Sequence, residues 1–381
     1  MEAFPSRTPT TLKAGGTEGA SSTTGAHSTL KGLYPGYFAL VMATEIVSTA
    51  LHLYHQTAIS MGLMWIGAAA YGVLWVTYVL RAARFTKETR QDVTNPARMF
   101  GYFTMVAASN VLAVRFLFAH RPFLGLALGV TGCLLWIVLF YSLTTLLIVG
   151  RRVRLTMVNG GWLIAIVAEE SLSTWLGAMV DHLPHAGKAL FLAALVFWAM
   201  GIMLYVVFIG LVMDRLFFYR VRAADLDPPY WINMGATAIT VLASSRLLLL
   251  HHAGAALVTV RPFLEGLTVV LWAWGSWWIP LLLVLGWWKY GHEHEPIGYH
   301  PAQWSIVFPL GMYATATTTL SRVPGFSGLH PIGAAFVWIA LLAWAAVSIM
   351  AVRNVWLTRR GMRLRARENV RRGASPSDGV G

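Results

Sequence analysis

Five ionisable side chains, Glu45, Arg115, Glu169, Glu170 and Arg246, stand inside long apolar runs. A charge left in hydrocarbon costs at least about 2.5 kcal/mol, so each must face protein or water, and such residues mark ion paths, proton relays or internal ion pairs. Counted from the start of its run, each acid lies about 10–12 residues in and each arginine about 14–15. At about 1.5 Å per residue the offset is about 3–8 Å, within reach of an arginine side chain. Two chemistries fit this spacing: the carboxylates pair with Arg115 and Arg246, or one or more carboxyls is carried protonated and couples transport to a proton.

Uncharged polar residues form stripes on the same segments. Asn233, Thr237, Thr240 and Ser244 follow i, i+4, i+7, i+11, which places all four on one helix face. Phe308, Gly311, Thr315, Thr319 and Arg322 have similar spacing, and Glu45, Ser48 and His52 step by three and four. Hydroxyl donors suit an anion, which needs O–H or N–H contacts in place of lost hydration, so these faces are candidate linings of a wet path. Small and hydroxyl residues also cement packed helices, which is the alternative for each stripe. Pro309 lies within an apolar run, where its ring and missing N–H oppose a straight helix, and a kink there would present the neighbouring Phe308 ring at mid-depth.

Other reactive groupings are less specific. His292-Glu293-His294-Glu295, His182 with His185, and His251-His252 could hold a metal in a membrane-embedded enzyme, but their spacings match no defined ligand set. No GxxxxGK[ST] phosphate loop occurs, and the single Cys133 rules out an intramolecular disulfide framework. The expectation is therefore no enzyme activity, no cofactor and no metal. The net charge of +13 has no soluble basic module interleaved with aromatics, so it points to a membrane surface and not to nucleic acid.

The elements that must carry these residues are membrane helices. Residues are 57% hydrophobic and only 12% charged, too apolar for a soluble fold of this size. With about 20 apolar residues needed per crossing, ten spans are expected near 35–54, 61–80, 101–119, 123–149, 158–180, 188–213, 230–250, 263–288, 303–321 and 332–352. Tyr34-Pro35-Gly36, Asn95-Pro96, Arg121-Pro122, Asp227-Pro228-Pro229, Arg261-Pro262, His300-Pro301 and His330-Pro331 punctuate their edges. With alternate connections assigned to opposite sides, one side collects 23 of the 29 Lys and Arg and the other only four, Arg115 and Arg246 lying within spans. The positive-inside rule then puts both termini in the cytoplasm and the protein in a bacterial-type inner membrane.

Odd-numbered spans contain the ionisable residues, whereas even-numbered spans contain 12 of the 17 tryptophans and no charge at their centres. Five inner helices around an axis, each followed by a lipid-facing outer helix, make five hairpins. Residues 1–33 and 355–381 are expected to be cytoplasmic tails, the first Ser/Thr/Gly-rich and the second basic, flanking a transport domain at 34–354.

Three runs carry a resemblance. Tyr34-Pro35-Gly36-Tyr37-Phe38-Ala39-Leu40-Val41-Met42-Ala43-Thr44, Trp231-Ile232-Asn233-Met234-Gly235-Ala236 and Trp304-Ser305-Ile306-Val307-Phe308-Pro309-Leu310-Gly311-Met312-Tyr313 resemble the tellurite-resistance/dicarboxylate transporter family. Its members include bacterial TehA anion channels, plant guard-cell slow anion channels, fungal malate permeases and fungal sulfite pumps. The resemblance spans roughly residues 30–355. It implies an all-α integral membrane fold of ten helices around a central pore, a homotrimer with one pore per subunit, a small inorganic or organic anion as substrate, and Phe308 as the aromatic that plugs the pore. Channel, proton-coupled dicarboxylate carrier and sulfite or tellurite efflux protein all remain open. The chain departs from the family in carrying Glu45 where a small residue is usual, and in the pair Glu169-Glu170.

Overall fold

The structure, a computed structural model, describes residues 30–150, 153–250 and 254–373. Among them it is helical throughout, with no strand. We number the helices α1 Ala39–Leu53, α2 Thr57–Arg84, α3 Thr86–Val93, α4 Phe103–Phe118, α5 Pro122–Val149, α6 Ile164–Met179, α7 Gly187–Phe218, α8 Ile232–Leu248, α9 Gly254–Trp287, α10 Trp304–Leu320 and α11 His330–Gly373. Helices are the answer to a sequence this apolar, because in lipid each backbone N–H and C=O must be satisfied within its own segment.

Six helical stretches are long and apolar enough to cross a membrane: Thr57–Arg84, Met99–Phe118, Pro122–Val149, Pro184–Phe218, Ala256–His292 and Ser327–Thr358. The protein is a multi-pass membrane protein. Burial separates them into two kinds, for the most apolar window of Met99–Phe118 is 100% buried while those of the other five are 17–28% buried. The remaining apolar helices, α1, α6, α8 and α10, have 15 to 17 residues and are also buried almost throughout. Tight turns at Gly160–Leu163, Pro228–Trp231 and Pro301–Gln303 lead into three of them, and a turn at Met99–Tyr102 leads into α4.

The short helices touch in a closed cycle: α1 on α4, α4 on α6, α6 on α8, α8 on α10, and α10 back on α1. Each also packs on the long helix that follows it, α2, α5, α7, α9 and α11 respectively. Glycines on the long helices set that second contact. A Cβ at Gly67 would overlap the Glu45 carboxyl, at Gly132 the Asn110 amide, at Gly201 the Glu170 carboxyl, at Gly275 the Thr237 hydroxyl and at Gly333 the Thr318 hydroxyl. In all five pairs a polar side chain of the short helix nests on bare backbone of its long partner.

Several sequence expectations are redirected. Arg261-Pro262 is not an edge: α9 begins a full two turns earlier and Pro262 lies inside it. Arg261 there donates to the Leu248 carbonyl at 2.9 Å and pairs with Glu265. The tryptophans of the long helices do not all face outward, for Trp136, Trp198 and Trp278 are buried. α3 was not anticipated; Asp92 at its end is gripped by Arg81 at 2.6 Å and Arg98 at 2.8 Å. Residues 355–373 of the expected C-terminal tail continue α11. Residues 1–29 and 374–381 of the tails, and His251-His252, lie outside the described residues.

Candidate functional site

All five short helices contribute to one cavity, which therefore lies on the axis of their cycle. Ile46 and Thr49 come from α1, Asn110, Val111 and Val114 from α4, Ser171 and Thr174 from α6, Ile239, Leu242 and Arg246 from α8, and Met312 from α10. Its volume, about 10 Å³, is that of a single water. A larger recess of about 510 Å³ sits at the N-terminal ends of the same helices, bounded by Tyr34, Arg98, Gly160, Asp227, Lys289, Glu295, His300 and Gln303 among others.

Along α10, Phe308 stands at a level between the two spaces. It precedes Met312 by one helical turn, about 6 Å, on the same face of α10 and towards the recess. Its ring is wholly buried. α10 runs through Pro309 without interruption. A Cβ on Gly235 of α8 would stand 2.9 Å from Pro309 Cγ and 3.4 Å from Phe308 Cε1, so glycine clears the space the two rings occupy.

The hydroxyl stripe of α8 is turned elsewhere. At 100° per residue, Asn233, Thr237, Thr240 and Ser244 centre about 160° from the face of Ile239, Leu242 and Arg246. Thr237 abuts Gly275, and Ser244 accepts from Thr268 at 2.7 Å, both on α9. Their own protons go back to α8 carbonyls, Thr237 to Met234 at 2.9 Å and Thr240 to Ala236 at 2.9 Å. Asn233 is buried without a side-chain hydrogen bond. These residues join helices. Ser48 is similarly redirected, towards α2 and α4. Thr315 and Thr319 of α10 do share the Phe308–Met312 face, while Gly311 packs against Ile46 and Val47.

Sequence reasoning passed over Thr49, Asn110, Ser171 and Thr174. Asn110 donates to Ser171 at 2.9 Å across two helices, and its carbonyl oxygen has no partner. The available signal was phase: Ser171 and Thr174 are three apart and lie next to the acids, but nothing in spacing alone tells which face of a helix meets the axis.

No ion pair forms among the five intramembrane charges, so of the two chemistries that the spacing allowed, pairing is not the one seen. Among the described residues neither Arg115 nor Arg246 has a carboxylate oxygen within 4.0 Å. Matched depth does not ensure matched rotation. Glu45 and Glu170 turn onto glycines of their long partner helices, and neither carboxyl accepts a hydrogen bond, although the Thr240 hydroxyl lies alongside Glu170. Glu169 accepts from Trp136 Nε1 at 2.5 Å through one oxygen only. Arg115 instead donates from Nε to Ser48 and from Nη2 to Ser60, each at 2.8 Å. Those two serines clasp one another's backbone carbonyls at 2.7 Å, tying α1 to α2 around the guanidinium.

In the recess, Arg98 and Lys289 offset Asp227 and Glu295, and Lys289 is held to the Leu226 carbonyl at 2.9 Å. Burial pushes the Tyr34 hydroxyl up to about 12, and Asp227 adds to that shift. Partial burial holds His300 below the usual imidazole range, with Asp227 opposing, so its ring is uncharged at neutral pH. His292 and Glu293, in the turn after α9, are exposed and 4.0 Å apart.

Comparison with known proteins agrees with this architecture. The family model for voltage-dependent anion channels matches residues 32–352. The chain is 24% identical over 339 residues to an uncharacterized transporter of Methanocaldococcus jannaschii, covering 86% of this chain and 94% of that one. A second uncharacterized transporter from that organism is 21% identical over 336 residues, covering 86% and 96%. An uncharacterized membrane protein of Mycobacterium tuberculosis is 39% identical over 155 residues, 41% of this chain and 78% of its own.

Proposed function

Because the chain belongs to the voltage-dependent anion channel family, within the tellurite-resistance/dicarboxylate transporter group, we propose that it moves small anions along the axis of the five short helices, with Phe308 as the gate. What supports this reading is the arrangement along the five short helices: a small cavity lined by all five, a larger recess at their N-terminal ends, and the buried Phe308 one turn from Met312 on the recess side. The recess holds hydrated ions, the ring seals the narrow zone, and Thr315, Thr319, Thr49 and Thr174 lie beyond it, each hydroxyl bonded to the carbonyl one turn back and meeting an ion only by rotating away from it. In this reading the ten apolar helices all cross the membrane as five hairpins, residues 34–354 form the transport domain, and both termini are in the cytoplasm of a bacterial-type cell. A homotrimer with one pore per subunit is the assembly, and transport rather than catalysis is the role.

A second reading, a proton-coupled carrier, is favoured by one observation: Glu45 and Glu170 are buried with no cation bonded to them. An ionised carboxylate in that setting is penalised by several kcal/mol, whereas a protonated one is tolerated and is able to exchange its proton during transport.

The test is flux into proteoliposomes with chloride, nitrate, sulfite and malate, with and without a pH gradient. Electrogenic anion flux indifferent to the gradient supports the channel; gradient-driven accumulation supports the carrier. No flux of any of the four in well-folded protein refutes both.

A further inference from the structure

The guanidinium of Arg246 has a setting unlike that of any other buried or half-buried arginine described here. Arg81 is paired with Asp92, Arg215 with Asp225 and Arg261 with Glu265, while Arg115 is bonded to two serines. Among the described residues Arg246 has no carboxylate within 4.0 Å, and it lines the axial cavity at its far end from the recess. It rests on the face of Phe118, 4.8 Å from the ring centroid, and that ring is itself stacked with His52 at 5.5 Å. Arg246 is itself largely desolvated, and the exposed Arg322, which follows α10, adds a second positive charge in its neighbourhood. A largely desolvated guanidinium with a second positive charge in its neighbourhood is unfavourable unless something negative joins it. Among the described residues no carboxylate does so.

We propose that Arg246, with Arg322 beside it and Phe118 as its platform, forms an anion-binding site at the end of the axial cavity opposite the recess, and that it prefers a small oxyanion to a halide. This rests on the anion-transport reading and deepens it by naming where the ion pauses and which chemistry is favoured. A guanidinium is a planar fork of N–H donors that matches two oxygens of one acceptor group, whereas a spherical ion engages the fork less completely. The cavity, about 10 Å³, has room for one water, so a compact ion such as nitrate needs it to widen slightly and a C4-dicarboxylate needs far more opening.

Arg246→Gln and Arg246→Lys variants of the full chain test this, the first removing charge and fork, the second the fork alone. The expected results are a half-saturating nitrate concentration about tenfold higher in Arg246→Gln, and loss of the nitrate-over-chloride preference in Arg246→Lys with chloride flux retained. Wild-type nitrate saturation in folded Arg246→Gln would overturn the proposal. Nitrate-dependent thermal stabilisation of the detergent-solubilised wild type gives a readout independent of flux. A shift that disappears in Arg246→Gln supports the site even if no anion is transported, and an equal shift in both proteins refutes the site even if transport is confirmed.

Discussion

Replacing Phe308 by alanine is the sharpest test of how the axis is closed. The ring is wholly buried, and its removal deletes on the order of 100 Å³ of side chain. At about 30 Å³ per molecule that is room for roughly three waters, in a zone whose neighbouring cavity has room for one. The gap would join the 510 Å³ recess to the axial cavity. A dry void would cost about 3–5 kcal/mol of stability, but water entering from both sides reduces that cost. A barrier lowered by about 1.4 kcal/mol already gives tenfold, so chloride and nitrate flux should rise at least about tenfold over wild type in proteoliposomes at matched protein density. Monodisperse, thermally stable Phe308→Ala with flux equal to or below wild type would refute the reasoning, because the ring would then not be the obstruction.

Gly235→Ala should act in the opposite sense. Its Cβ would meet Pro309 Cγ at 2.9 Å, so α10 must shift by a few tenths of an ångström and the Phe308 ring is wedged, lowering basal flux while Phe308→Ala in the same background restores it. Gly201→Ala and Gly210→Ala form a matched pair on α7. The first forces a methyl into the Glu170 carboxyl and should destabilise by about 1–3 kcal/mol, seen as a lower melting temperature in detergent, while the second meets nothing within 4 Å and should be neutral or slightly stabilising. Glu45→Gln, Glu169→Gln and Glu170→Gln discriminate the carrier from the channel. At least one should flatten the pH dependence of uptake, and wild-type pH profiles in all three would remove the proton-coupled reading.

Composition, hydropathy spacing and the three motif runs were enough to establish an all-helical multi-pass membrane protein and its family, because the demand for about 20 apolar residues per crossing and for internal backbone hydrogen bonding is a property of the chain and the lipid alone. The division into charged and tryptophan-rich segments also marked the short buried helices apart from the long ones, since an ionisable group in hydrocarbon must turn inward wherever it occurs. Rotation was another matter. The Asn233–Ser244 stripe is a single helix face, as its spacing says, yet that face meets α9 and not the axis. Glu45 and Arg115 sit at similar depth without bonding, because Gly67 offers the carboxyl a berth and Ser48 with Ser60 occupies the guanidinium. Depth follows from counting residues along one chain, whereas azimuth follows from how glycines and side chains on neighbouring helices interlock, and that is set only when five helices close into a cycle.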